Sequence, residues 1–145
     1  MSFQTTLLTA IGELLEAEQI GQWKPSDTYS RNRTAITVLS LPQATDRAIT
    51  MNLYPVQDDA TTDSIVGLQF RIRGAPNDPH NALNTIDAIF NALHDLRNTS
   101  LANIPVVRMW RQSGANLGKD EKDRPEHTEN YYIQLTRTGK HRSDN

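Results

Sequence analysis

Residues 66–73 alternate without a break: Val66, Leu68, Phe70 and Ile72 are apolar, while Gly67, Gln69, Arg71 and Arg73 are small or polar, in a strand expected over 65–73. A period of two sends these sets to opposite faces of a β-strand. Slipping the register by one residue would put every apolar side chain in water. The chain must therefore build a sheet with one buried face and cover that face with apolar side chains. Two stretches have the helical period to do so. Phe3, Leu7, Leu8, Ile11, Leu14 and Leu15 form one stripe, with Ser2 placed to cap it and Gly21 to end it. Ala82, Leu83, Ile86, Ile89, Phe90, Leu93 and Leu96 form the other. It opens with Asp78 and Pro79, a carboxylate acceptor followed by the residue suited to the first helical position.

Four more strands are expected. One covers 34–41 and stops at Pro42; a second, 48–54, sets Ile49, Met51 and Leu53 against Thr50, Asn52 and Tyr54 and stops at Pro55. The others cover 104–111 and 130–137, the latter with Tyr131, Ile133 and Leu135 in alternation. Helix, three strands, helix and two strands predict an α+β fold: a mostly antiparallel sheet of about five strands with both helices packed on one face. A chain of 145 residues is enough for one core. We assign a single domain to 1–138 and a flexible polar tail to 139–145.

Two loops are charged. Residues 57–64 carry Asp58, Asp59 and Asp63; residues 112–129 mix Lys119, Lys122 and Arg124 with Asp120, Glu121, Asp123, Glu126 and Glu129, as a long charged hairpin arm. Such loops are either solvated and mobile or committed to a partner. Arg71 and Arg73, together with Arg108 and Arg111, would make a basic strip if their strands were neighbours. That strip would pair with acids across strands or meet an acidic loop of an adjacent subunit. The candidate interface residues are thus Arg71, Arg73, Arg108, Arg111, Lys119, Asp120, Arg124, Asp58 and Asp59.

Chemistry finds little support. There is no cysteine, so thiolate metal sites and disulfides are excluded. His80, His94, His127 and His141 form no pair at ligand spacing. Asp58, Asp59 and Asp63 lack supporting acids on strands, as a two-metal site would need. Gly114 to Lys119 has three residues between its glycines and Asp120 where a phosphate loop needs Ser or Thr, and Ser113 has no nucleophile elbow. We expect no enzyme, cofactor or metal. A net charge of -2 argues against tight general DNA binding. No apolar run is long enough to span a bilayer, so no membrane partner is expected.

Several colinear segments carry a family resemblance. Tyr54-Pro55, the run from Val66 to Gly74, Asp78-Pro79, the run from Ile86 to His94, the run from Arg111 to Asp120, Arg124, and the run from Asn130 to Ile133 resemble the tail terminator or minor capsid family of siphophages. The resemblance implies a non-catalytic virion protein, a homohexameric ring bound to the last tail tube ring and, on its other side, to a head completion protein. Genomic DNA would pass through the lumen without specific recognition. It implies residence at the tail–neck junction, after a period in the host cytoplasm. A head completion protein one ring higher and a small non-enzymatic DNA-associated adaptor are the alternatives.

Overall fold

The computed structural model describes residues 1–143. Its first helix, α1, spans Phe3–Ala17, and the Ser2 hydroxyl accepts the Thr5 N–H at 3.1 Å. The helix ends before Gly21. Gln19 takes the left-handed conformation, φ 61, and the Ile20 N–H returns to the Leu15 carbonyl at 3.0 Å, so a glutamine fills the role usually left to glycine.

Two short strands follow, β1 at Gln22–Trp23 and β2 at Ala35–Val38, parallel to each other; β2 is also parallel to β3, Ala48–Asp58. β3 forms an antiparallel hairpin with β4, Asp63–Arg73. Then comes α2, Pro79–Leu93, capped by the Asp78 carboxylate on the Asn81 N–H at 3.1 Å. Three strands complete the chain: β5 at Leu96–Leu101, β6 at Ile104–Lys119 and β7 at Pro125–Thr136. The sheet has seven strands in the order β1-β2-β3-β4-β7-β6-β5.

The α+β class stands, but the sheet is mixed and has seven strands instead of about five. β1 is too short to show a period, and β5 is mostly exposed, with Leu101 its one buried residue. Neither advertises itself as a strand. The second helix stops at Leu93 instead of Leu96 because His94 turns extended and Asp95 takes φ 66. Residues 112–129 are not an unstructured loop either: β6 and β7 pair through Lys119↔Pro125. Part of the expected flexible tail is tied down, since the Arg142 guanidinium donates to Ser64 Oγ at 2.8 Å and to the Arg137 carbonyl at 3.0 Å. Residues 144 and 145 lie outside the described residues.

Both helices feed one core cluster with the apolar face of the sheet. α1 touches β1, β2 and β3 and also β5, which stand at opposite ends of the strand order. The sheet therefore curls around the helix. Phe70 and Tyr131, the bulkiest fully buried side chains, meet edge to face at 5.7 Å between centroids. The Tyr131 hydroxyl is buried without a hydrogen-bond partner among the described residues, and burial pushes its pKa up. Phe90, expected in the core, is only half-buried; it stacks on His94 at 4.5 Å.

Three substitutions separate these environments in urea unfolding. Phe70→Ala is expected to cost about 3 to 5 kcal/mol, and Phe90→Ala distinctly less. Tyr131→Phe should leave stability unchanged or raise it, since an unpaired buried hydroxyl costs about 1 to 3 kcal/mol. A Tyr131→Phe protein with a clearly lower midpoint would mean that the hydroxyl has a partner.

Candidate subunit interface

β7 lies between β4 and β6, so Arg71 and Arg73 are not on a strand adjacent to that of Arg108 and Arg111. The expected basic strip does not form. Alternation tells which face a residue takes but carries no information about strand order, and the last strand in sequence is inserted near the middle of the sheet.

The four arginines have separate settings. Arg71 pairs across strands with Glu126 at 2.7 Å, on the sheet face away from the helices. Arg111 reaches Glu129 at 3.3 Å and lies over the Phe90 ring of α2 at 4.4 Å, on the covered face. Arg108 binds Asp95 at 2.9 Å and lies 5.0 Å from the Trp110 ring centroid. Arg73 is only 3% exposed. It donates to the Asp46 carbonyl at 2.8 Å and to the Pro42 and Thr45 carbonyls at 2.5 Å, fastening the loop before β3 over its end of the sheet. Burial lowers its pKa and repulsion from Arg124 adds to this, while Asp120, Glu126 and Asp46 oppose the shift. Arg73 is therefore a structural cation and not an exposed contact.

The tip of the β6–β7 hairpin is built around Asp120. Its carboxylate accepts the Lys122 N–H at 2.9 Å, the Arg124 N–H at 3.0 Å and the Arg124 Nε at 2.7 Å. Arg124 is buried and also approaches Asp46 at 3.4 Å. The body holds the tip from below: the Asn77 N–H donates to the Asp123 carbonyl at 2.9 Å, and the Gly74 N–H to the Pro125 carbonyl at 2.8 Å. The tip is thus docked and not a free arm. Lys119 remains well exposed, 3.8 Å from Asp123, a separation at which little stabilisation is expected.

The acidic loop is a tight turn between β3 and β4. Asp59 Oδ1 accepts the Thr61 hydroxyl at 2.5 Å and the Thr61 N–H at 2.8 Å, and these bonds hold its carboxyl below the usual range despite some desolvation. Asp58 Oδ1 accepts the Ser64 hydroxyl at 2.6 Å. Arg142 stands off from both aspartates, 3.9 Å from Asp58 and 3.8 Å from Asp59.

Two features escape the sequence reading. First, the uncovered sheet face carries a row of half-buried aromatics. Tyr54 lies over Gly67, where a Cβ would collide with its ring, and Tyr132 meets Trp110 edge to face at 5.9 Å. The opposition of Tyr54 to Gly67 is its one trace in the sequence, a large ring against the residue that makes room for it. Below it Asn130 links Gln69, Tyr54 and Ser113 at 3.2–3.3 Å. Second, two strands outrun their neighbours. β2 ends its pairing with β3 at Val38↔Met51, and β5 ends its pairing with β6 at Leu96↔Met109. Beyond these points, among the described residues, each long strand is paired on one side only.

Burial raises the Asp120 carboxyl, but the hydrogen bonds from Arg124 and Lys122 outweigh it and leave the group below the usual range. A depressed folded pKa stabilises above the unfolded value of about 3.9, and that stabilisation is lost as pH falls through the folded pKa. Asp120→Asn should accordingly melt lower than the parent at pH 7, with the gap narrowing below about pH 4. An equal gap at every pH would show that the carboxylate charge is irrelevant to the tip.

No curated protein matches the sequence. Among solved structures, a chain from the virion of a native gene transfer agent particle superposes with a TM-score of 0.66 at 10% identity, covering 93% of this chain and 99% of that one. That similarity is one of fold. The family model described as bacteriophage tail terminator protein matches residues 14–137, nearly the whole chain. The protein therefore belongs to the bacteriophage tail terminator family and is a structural virion protein of the phage tail or neck.

Proposed function

We propose that this chain is the ring subunit that ends the tail tube: six copies close on the head-proximal tube end, bind the last ring of major tail tube protein, and present their other side to a head completion protein. The observation that carries the reading is the match to the tail terminator family along residues 14–137. Genomic DNA passes through the lumen. A lumen that transmits DNA must not grip it, because each phosphate neutralised by a lysine or arginine adds affinity. The charge arrangement suits that requirement. Arg71 and Arg111 are matched by Glu126 and Glu129, Arg73 and Arg124 are buried, and the uncovered face offers amides and rings. The work proposed for this surface is assembly and not catalysis, and it needs no cofactor.

A ring of identical subunits repeats one heterologous contact, and the rotation must close at six to match a sixfold tube. Each contact is weak alone, and docking on a finished tube raises the effective concentration of neighbours. The free protein, waiting in the host cytoplasm, is then mostly monomeric and becomes hexameric in the virion. Light scattering on dilute protein, paired with the symmetry of the tube end in a particle reconstruction, tests this. Monomer in solution and a sixfold ring at the tube end are expected; a stable dimer in both settings would overturn it. A position against the portal, one ring higher, would assign the head completion role instead.

A further inference from the structure

We infer that neighbouring subunits of the ring join edge to edge, the open part of β3 in one copy pairing antiparallel with the open part of β6 in the next. The inference rests on the ring reading above and adds the surfaces in contact. On β3 the open stretch is residues 52–58, which pair with β4 alone. The Leu39 N–H donates to the Met51 carbonyl at 3.0 Å, so Met51 turns its backbone groups towards β2. Alternation turns those of Leu53 the same way, where no strand lies among the described residues. On β6 the Met109 carbonyl accepts the Asp95 N–H at 2.7 Å and the Arg111 N–H donates to His94 Nδ1 at 3.1 Å. Residues 112–119 beyond them pair only with β7, and all are exposed.

A second copy fits these edges for four reasons. They lie on opposite sides of one sheet, and β3 runs antiparallel to β6 when the copies stand side by side, since β3, β4, β7 and β6 alternate in direction. They are offset along the strands as well. The open stretch of β3 is level with Val106 to Ser113 of β6, whereas the open stretch of β6 is level with the start of β3. Joining head to tail would stagger each copy against the next, the shear that a closed, tilted array of strands requires. Charge also matches. Antiparallel pairing brings Asp58 and Asp59, 52% and 47% exposed, to the end of the β6 stretch where Arg108 and Arg111, each also paired within its own subunit to Asp95 or Glu129, stay 41% and 39% exposed. Each edge carries an exposed aliphatic residue at a bulge, Val56 on β3 and Leu117 on β6.

The cysteine-free chain allows a direct test. Val56→Cys, Leu117→Cys and Ala115→Cys alter exposed positions, and each introduces the molecule's sole thiol. Particles assembled from a mixture of Val56→Cys with Ala115→Cys subunits should give a covalent dimer on oxidation, the mixture of Val56→Cys with Leu117→Cys, two residues further along the strand, distinctly less, and particles of any one variant none. In the Val56→Cys/Ala115→Cys double variant the product should be a ladder of multimers. Hydrogen exchange at residues 112–119 should slow in the ring compared with the monomer. A sixfold ring with no cross-link and unprotected amides overturns the edge pairing while leaving the ring intact. Cross-linking of Leu117→Cys to itself would mean an isologous contact and also overturns it. Particles with no sixfold ring of this protein sink both readings.

Discussion

Everything in this subunit depends on the insertion of β7 between β4 and β6. β7 is the last strand in sequence, yet it supplies Tyr131, Ile133 and Leu135 to the centre of the core and the ladder partners of both neighbours. The backbone groups of β4 and β6 have no alternative partner on that side, and a buried polar group without one costs as much as a lost hydrogen bond. No strand pairing other than through residues 125–136 joins the first hairpin to the β5–β6 pair among the described residues. Such long-range closure makes folding slower than local pairing would allow.

β7 also sets the charge arrangement. Glu126 and Glu129 are buried acids, each within reach of an arginine on a neighbouring strand. Without those partners they would be uncompensated charges in a poorly solvated setting. The same strand thus closes the core and neutralises the cations on both sides of it.

Much of this was legible in the sequence, for identifiable reasons. The alternation from Val66 to Ile72 and the stripe of Leu7, Leu8, Ile11 and Leu15 each report burial directly, and both stand in the core. Asp78 with Pro79 marked the start of α2 because the capping chemistry is local. What failed was nonlocal. Arg73 shares the alternation of Arg71, yet the loop bearing Pro42, Thr45 and Asp46 folds over it, and no period in β4 encodes that loop. Phe90 fits an apolar stripe but lies at the margin of the helix's buried side, where it serves His94 and Arg111 instead of the core. The polar composition of residues 112–129 read as a loop because their β6 half is exposed, although backbone bonds alone hold it as a strand.

An exposed strand edge is ordinarily a hazard, since any other edge can pair with it. The subunit moderates its own edges with bulges near Pro55 and Asn116, and Pro55 also removes one donor from β3. Among the described residues neither edge is covered by a helix or loop over its length, which is how a monomer that worked alone would deal with it. Partial protection of this kind suits a contact that must stay unmade in dilute solution and form when neighbours are held side by side. On the sheet itself Arg71 and Arg111 are matched by Glu126 and Glu129, so the specificity of the proposed contact would fall to edge geometry. A contact of that sort gains strength through repetition around a template rather than through the affinity of any single pair.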